Sequence, residues 1–294
     1  MKANIINYFK NGKLYQYDPK MLLYIITKVD IDGIFCLDKK MMEKFLKIKS
    51  PKVSYEDGFI RVENDLYKTK LITTKVDLFE PDLRIDGSFV VEPNYVKKAL
   101  NFVSKDNKNP SLKGVYISKT GVFATNSYFI YRSSECGDET IIITTNFAKE
   151  LIKEKKPILL NFNSRYVFYE REDESIVLSP ISKGFLKIDS FYKNKYFDKV
   201  NISRKLLNNL LEFSDDDDLI TFENDLIKVR NVKTKTEFET IFDGNFYNQL
   251  NFECKFFKTI IENVDKDYIT LEYVDGRKLV KINDEFIILP KRVD

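Results

Sequence analysis

The sequence contains no histidine among its 294 residues. Histidine is the commonest general base, the commonest protein ligand of transition metals and the usual partner of a serine or cysteine nucleophile. Its absence weighs against an ordinary hydrolase and against a histidine-bound metal centre. We therefore expect a protein that binds other molecules and is not an enzyme.

Cysteine is also scarce, with three residues that stand far apart in the chain: Cys36, Cys136 and Cys254. An odd number at such spacing fits neither a disulfide framework nor a metal cluster. We expect three reduced thiols, each buried as a small apolar side chain.

Long apolar segments are missing too. No run of eighteen or more apolar residues occurs, and the first residues, MKANIINYFKNGKLYQYD, lack the uninterrupted apolar core of a signal peptide. We expect a cytoplasmic protein without a membrane partner.

The 43% of apolar and 32% of charged residues are typical of a chain that is folded throughout, and its length allows two or three domains.

Motifs for nucleotide chemistry are absent. The sequence has no Gly-x-Gly and no Gly-x-x-x-x-Gly-Lys-Ser/Thr, so it gives no support for nucleotide hydrolysis. Its one acidic run is Asp215–Asp218. Four adjacent carboxylates could hold Mg²⁺ for a nuclease, but neighbours in sequence do not converge as ligands from separate strands do. We favour a solvated loop for this run and expect no cofactor and no metal.

What the sequence does contain is a repeat of a strand end and an amphipathic helix. An apolar residue is followed, four positions later, by two apolar pairs with two polar residues between them. Such pairs lie on one side of a helix and predict one buried stripe. The copies are Leu37 with Met41, Met42, Phe45 and Leu46; Val91 with Tyr95, Val96, Ala99 and Leu100; Ile143 with Phe147, Ala148, Leu151 and Ile152; Ile202 with Leu206, Leu207, Leu210 and Leu211; and Phe252 with Phe256, Phe257, Ile260 and Ile261.

Helix starts and hairpin turns accompany the repeat. Asp38, Thr144 and Ser203 are suitable N-caps, and Pro93 suits a first turn. Hairpin signals follow the helices at Asp57-Gly58, Thr120-Gly121, Asn163-Ser164, Asn224-Asp225 and Asp275-Gly276.

Each unit is thus a strand, a helix and a meander, and units pair into domains. We predict an α+β fold of three similar domains, 1–86, 87–194 and 195–294. The first half of the first domain is shortened, and the sequence shows no helix there. Chance recurrence of apolar pairs in a chain rich in Ile, Leu and Phe is the alternative.

The charge is distributed unevenly although the net charge is only +3. Twenty polar positions flank the first apolar pair of the five helices, and ten of them are Lys or Arg while two are Glu. One positive face on every repeat is the layout expected for binding duplex DNA without sequence preference. A solvated lysine-rich face is the simpler interpretation of any single helix. The residues predicted to face DNA are Lys39, Lys40, Lys44, Lys97, Lys98, Lys149, Arg204, Lys205, Lys255 and Lys258.

Two segments resemble the bacterial DNA polymerase III beta subunit, the DNA sliding clamp family. LKGVYISKTGVFATNSYFIYR at 112–132 is similar to the strand and Ala-Thr-Asp-Gly-type turn of that family's second domain, and FIILPKRVD at 286–294 is similar to its closing strand. FEPDL at 79–83 and IDSFYKNKYFDKV at 188–200 resemble the family's domain ends more weakly. The resemblance covers the chain from about residue 33 to its end.

The resemblance implies a processivity factor for DNA replication. Such a protomer has three domains, each of two strand-helix-hairpin units, and closes into a ring with its sheets outside and its helices lining duplex DNA. An ATP-driven clamp loader loads the ring, which tethers the polymerase. A homodimer of three-domain protomers is favoured over a trimer of two-domain ones.

The resemblance also implies an apolar pocket for a partner peptide. By position, its residues would be Leu112, Thr125, Ser127, Ile130, Ile287, Leu289, Pro290 and Arg292. Three departures affect this motif: Lys291 replaces an apolar residue, Asp294 adds a charge, and Asn126-Ser127 replaces Asp-Gly. The short first domain and the Lys, Asn and Ile bias look like those of a phage clamp, which would act in the host cytoplasm.

Two rival functions stay open. One is a metal-dependent nucleic-acid enzyme that uses Asp215–Asp218. The other is a clamp-like scaffold that binds proteins without encircling DNA. The identities of the polymerase, the loader and the host do not follow from the sequence.

Overall fold

A computed structural model describes residues 6–31, 33–48, 51–56, 58–66, 68–73, 80–104, 109, 112–135, 140–181, 188–193, 196, 198–273 and 279–290. The chain divides into two units, one of Met1–Val96 with Ile141–Lys183 and the other of Lys97–Thr140 with Gly184–Asp294. Each unit combines segments that are distant in sequence, and the division into three domains stays a prediction. No helix in the described ranges is long and apolar enough to cross a membrane.

Five helices form where the repeat predicts them, and a sixth short one was not predicted. They are α1 (Lys39–Phe45), α2 (Pro93–Leu100), α3 (Thr145–Leu151), α5 (Arg204–Leu211) and α6 (Cys254–Asn263), with the additional α4 at Asp189–Tyr192. The side chains of Asp38, Thr144 and Ser203 accept hydrogen bonds from the backbone N–H groups three residues on. These caps satisfy donors that the first helical turn leaves without a partner.

The buried stripe of these helices is narrower than predicted. In every copy the second residue of the first pair and the first residue of the second pair are buried; they are Met42 and Phe45, Val96 and Ala99, Ala148 and Leu151, Leu207 and Leu210, and Phe257 and Ile260. The outer members are less consistent, since Leu46 is 58% and Tyr95 is 44% exposed. One of the twenty positions that flank the first apolar pairs is Cys254, which is fully buried, as expected for a cysteine, and is therefore not on the outward face.

The first unit contains an antiparallel sheet with the strand order β4-β1-β2-β3-β15-β14-β13-β8. Its strands are β1 (Ile6–Lys10), β2 (Lys13–Asp18), β3 (Leu23–Lys28), β4 (Phe35–Leu37), β8 (Gly87–Val91), β13 (Ile158–Phe162), β14 (Tyr166–Glu170) and β15 (Ile176–Pro180). A separate sheet has the order β5-β6-β7, formed by β5 (Lys52–Glu56), β6 (Phe59–Glu63) and β7 (Lys68–Ile72). Strand β12 (Thr140–Thr144) leads into α3.

A hairpin replaces the helix that the first copy lacks. Strands β1 and β2 are joined by Asn11-Gly12, which have φ angles of +53° and +69°. Two consecutive residues in the left-handed region are typical of a type I′ hairpin turn, for which Asn-Gly is a preferred sequence. The ranges 6–31 and 33–37 contain strands and no helix. One face of β1, β2 and β4 packs Phe9, Leu14 and Leu37 against α1.

The second unit contains strands in the order β9-β10-β11-β21-β20-β19-β16 and a long pair, β17-β18. They are β9 (Gly114–Ser118), β10 (Val122–Thr125), β11 (Phe129–Arg132), β16 (Asp198–Ser203), β17 (Leu219–Arg230), β18 (Glu237–Glu253), β19 (Tyr268–Tyr273), β20 (Val280–Ile282) and β21 (Phe286–Ile288). Strand β11 pairs with β21 so that Ile130 lies opposite Ile287. This pairing brings two distant parts of the sequence side by side.

The predicted hairpin turn at Asn224-Asp225 is wrong. Strand β17 continues through both residues, and its register with β18 shifts on either side of Asn224, whose φ is +53°. The β17-β18 connection lies instead at 231–236, where the Asn231 side chain accepts from the N–H groups of Lys233 and Thr234. Turns at Thr120-Gly121 and Asn163-Ser164 lie between paired strands as predicted. Asp57 and Asp275-Gly276 lie outside the described residues.

The cysteines fit the expectation where they are described. Cys36 and Cys254 are free and buried, and burial raises the pKa of both thiols, that of Cys254 to about 11. A raised pKa keeps a thiol protonated and poorly reactive at neutral pH. Cys136 lies outside the described residues.

The acidic run is only partly the solvated loop that was predicted. Asp215, Asp216 and Asp217 are exposed, but Asp218 is buried. The Asp218 carboxylate accepts from the N–H of Asp215 at 2.8 Å, the N–H of Val232 at 3.0 Å and the Asn231 side chain at 3.1 Å. The Asp218 side chain therefore joins the β17-β18 connection, at Asn231 and Val232, to the segment that precedes β17, at Asp215.

Replacing Asp218 by Ala is expected to lower the free energy of unfolding by about 2–3 kcal/mol, because three hydrogen bonds to a buried carboxylate are lost. Denaturant unfolding followed by circular dichroism measures the loss. Asp217→Ala removes a neighbouring exposed carboxylate and is the matched control. Equal stability of the two variants would contradict the structural role of Asp218.

Candidate partner pocket and basic helix faces

A cavity of about 430 Å³ in the second unit, here called the partner pocket, gathers residues from four parts of the sequence. Its walls come from the loop before β9, the β10-β11 turn, α4, and β21 with its neighbours. No charged side chain is among the described residues that line it. They are Asn109, Leu112, Thr125, Ser127, Tyr128, Phe129, Ile130, Ile188, Phe191, Leu279, Ile287 and Leu289.

Six of the eight predicted pocket residues line this one cavity. They are Leu112, Thr125, Ser127, Ile130, Ile287 and Leu289. Pro290 does not line it, and Arg292 lies outside the described residues. Their common role in holding a peptide stays a prediction.

The β10-β11 turn forms one rim of the partner pocket. Thr125 donates its hydroxyl to the carbonyl of Phe129, and Asn126 Oδ1 accepts from the N–H groups of Tyr128 and Phe129 at 3.0 Å. Ser127 has a φ of +80°, a region that favours glycine. The side-chain bonds of Thr125 and Asn126 hold the turn although Ser127 is not glycine.

Helix α4 forms a wall that the sequence did not reveal. Ile188 and Phe191 line the cavity, and the Tyr192 hydroxyl donates to the carbonyl of Glu285 at 3.1 Å. The Arg132 guanidinium lies 3.5 Å from the centre of the Tyr192 ring. A cation over an aromatic face is attractive. Together these contacts fix α4 against β11 and the turn before β21.

Helix α6 touches the back of the partner pocket. The ring of Phe256 lies 4.1 Å from that of Phe129, measured between ring centres. Lys255 Nζ lies 4.9 Å from the centre of the Phe256 ring. A pocket residue and a predicted DNA-facing lysine therefore share one aromatic neighbour.

The ten residues predicted to face DNA differ in the solvent exposure of their side chains. Lys40, Lys44, Lys97, Lys149 and Lys205 are exposed, whereas Lys98, Arg204, Lys255 and Lys258 are partly buried. The Lys39 side chain lies outside what the structure describes. Their contact with DNA stays a prediction.

Acidic neighbours reduce the positive charge of the partly buried set. Lys98 Nζ lies 2.9 Å from Asp265 and holds the pKa of that carboxyl below its ordinary value. Lys255 Nζ lies 2.5 Å from Glu253. Lys258 donates to the carbonyl of Ser214 and lies 3.9 Å from Asp216. Within this set of ten, the exposed lysines of α1, α2, α3 and α5 thus carry most of the accessible positive charge.

Metal ligands are not clustered in the described part of the chain. Among those residues, no group of three or more Cys, Asp or Glu side chains could hold a metal ion. Asp218, the buried member of the acidic run, uses its carboxylate for the three hydrogen bonds given above. The rival hypothesis of a metal-dependent enzyme gains no support from this geometry.

No family model and no curated protein sequence matches this chain. Solved structures do match it. A putative DNA polymerase III beta subunit from Eubacterium rectale has a TM-score of 0.76 at 16% identity, covering 99% of this chain and 92% of that one. The beta clamp of Helicobacter pylori, bound to a DNA ligase peptide, has a TM-score of 0.75 at 12% identity with the same coverage. The DNA polymerase III beta subunit of Pseudomonas aeruginosa has a TM-score of 0.73 at 12% identity, covering 99% and 93%. The chain therefore has the fold of the DNA polymerase III beta subunit sliding clamps.

Proposed function

We propose that the protein is a DNA sliding clamp, a non-enzymatic processivity factor that encircles duplex DNA and tethers a polymerase to it. The observation that carries this proposal is the match to clamp structures over 99% of the chain. The repeated basic helices support it, because duplex DNA presents a negative charge about every 1.7 Å along its axis. Loading onto closed DNA would require a separate ATP-driven loader.

Encirclement requires a ring, and we propose that copies of this chain form it. Among the described residues, strand β7 is the last strand of its sheet, so one of its edges has no strand partner there, and Ile72 on it is largely exposed. An open edge with an exposed apolar residue favours pairing with another chain. In this proposal the domains are 1–86, 87–194 and 195–294, and two protomers close the ring. Light scattering distinguishes this dimer from a trimer by molar mass.

The partner pocket is the proposed docking site for the polymerase and other replication proteins. The described residues of its lining are uncharged and largely apolar, and they suit bulky apolar anchors of a peptide, which usually dominate the affinity of such contacts. The Helicobacter pylori clamp binds a DNA ligase peptide. We propose that a peptide of comparable chemistry occupies the pocket of this chain.

A clamp-like scaffold that binds proteins without encircling DNA is the second candidate. The acidic partners of Lys98, Lys255 and Lys258 favour it, because they weaken the positive faces of α2 and α6. The two candidates share the pocket and differ in their relation to DNA.

A topological assay tests the clamp proposal. Protein loaded onto nicked circular DNA by an ATP-driven clamp loader is expected to stay bound through a wash at high salt and to be lost after a restriction enzyme linearises the circle. A ring held by topology slides off an end, whereas a scaffold bound by charge is released by salt. Equal retention on the circular and the linear form would contradict encirclement. Gel filtration of the DNA with labelled protein measures the retained fraction.

A further inference from the structure

A second cavity, here called the α5 cavity, lies in the second unit between α5, β16, β18 and the start of β19. Its volume is about 700 Å³, within the range of pockets that hold small ligands. Ile202 and Phe242 line it and are buried. None of the functions proposed above uses this space.

The walls of the α5 cavity carry two large side chains that are exposed. Tyr268 is 62% and Ile241 is 70% exposed, and both line the cavity. Aromatic side chains that remain open to solvent are the usual stacking platforms for nucleobases, and every base has a flat face that can stack. The two side chains thus offer apolar surface to a flat ligand.

Polar groups of the α5 cavity differ from the lining of the partner pocket. Asn201 and Asn209 line it and present amide groups, which both donate to and accept from base edges, and Asp243 adds a carboxylate that accepts from base amino groups. Asn201 accepts from the Thr270 hydroxyl at 2.8 Å, which orients its amide. The partner pocket has no charged group among its described lining residues, and its chemistry suits an apolar peptide.

Lys205 adds a cation to the same cavity. It lines the cavity, is exposed, and belongs to the helix face proposed to meet DNA. A phosphate held by Lys205 would leave its base within the cavity that Tyr268 and Ile241 line. Stacking platforms combined with a basic groove are how proteins bind single-stranded DNA without sequence preference.

We propose that the α5 cavity binds a nucleotide of unpaired, single-stranded DNA, with the base stacked on Tyr268 and its phosphate at Lys205. This inference rests on the proposed function, because it requires DNA to reach α5. It extends that function from duplex DNA to the single-stranded DNA that adjoins a duplex end.

The test measures binding of a fluorescent oligothymidylate to the full-length protein by anisotropy. Tyr268→Ala is expected to weaken binding roughly tenfold, the loss of one stacked base, while Tyr268→Phe keeps the affinity. Lys205→Ala is expected to lower the salt dependence, and Tyr268→Ala to leave it unchanged. Tyr247→Ala removes another exposed aromatic residue of the same unit, outside the cavity, and is the matched control.

An abasic strand of the same length separates base binding from phosphate binding. We expect the wild-type protein to bind it as weakly as Tyr268→Ala binds oligothymidylate. Equal affinity of the wild type for both strands, or of wild type and Tyr268→Ala for oligothymidylate, would overturn the proposal. Retention on nicked circles is measured for the wild type and for Tyr268→Ala, so that the test of the α5 cavity is separate from the test of encirclement. Retention without a Tyr268 effect refutes the α5 cavity alone, and a Tyr268 effect without retention refutes encirclement alone.

Discussion

Replacing Lys40, Lys97, Lys149 and Lys205 together by Glu is expected to reduce the affinity for duplex DNA by roughly a hundredfold or more. Each lysine is exposed and belongs to a different helix of the repeat. The slope of log K against log salt is negative, and loss of four phosphate contacts is expected to make it less steep by about 3 to 4, since each contact releases close to one counterion. Anisotropy titrations of labelled duplex at several salt concentrations measure both quantities.

The control for this variant reverses four exposed lysines that are not on the helices. Lys28, Lys119, Lys156 and Lys199 lie on strands or loops. Their replacement by Glu changes the net charge by the same amount. If DNA binds through the helix faces, the control should keep most of the salt slope. Equal losses in both variants would mean that only net charge matters, and would exclude the helices as a specific surface.

Replacing Ile130 and Leu289 together by Ala is expected to weaken binding of a partner peptide about thirtyfold, the effect of losing one interface hot spot. Ile130 lies on β11 and Leu289 directly follows β21, and both line the partner pocket. Truncation removes apolar surface from the two walls while the backbone pairing of β11 with β21 is kept. Titration calorimetry with the DNA ligase peptide that binds the Helicobacter pylori clamp measures the change.

The chain offers a matched control for the pocket variant. Val90 and Leu159 are opposite residues on the paired strands β8 and β13, and they are 68% and 57% exposed. Their double replacement by Ala removes similar apolar surface away from the partner pocket. The control should bind the peptide as the wild type does. If Ile130→Ala with Leu289→Ala binds equally well, the pocket is not the docking site.

The helices were predictable because their signal is local. Asp38, Thr144 and Ser203 cap helices whose buried positions recur every three to four residues, and each pattern is contained in a dozen residues. The same is true of the turns at Thr120-Gly121 and Asn163-Ser164. The error at Asn224-Asp225 has a physical cause. Asn224 has a positive φ, which occurs both in hairpin turns and in β-bulges within a strand. The pairing of β17 with β18 shows that Asn224 lies at a register shift within a strand, and a local sequence pattern does not contain this information.

The partner pocket was predictable in part, and for a different reason. Leu112, Thr125, Ile130 and Ile287 followed from resemblance to a family and not from any local pattern. Ile188 and Phe191 were missed because α4 is only four residues long and is held by the contacts of Tyr192 with Arg132 and Glu285. Such contacts join residues about 60 to 90 positions apart. Periodicity within a segment carries no information about them.

The pairing of β11 with β21 has a consequence for protein synthesis. A chain still emerging from the ribosome has the β10-β11 turn long before it has Phe286–Ile288, so one wall of the partner pocket is made last. A product that ends before residue 286 would lack that wall and would leave the edge of β11 open. The partner pocket therefore has both of its strand walls only in chains translated as far as β21.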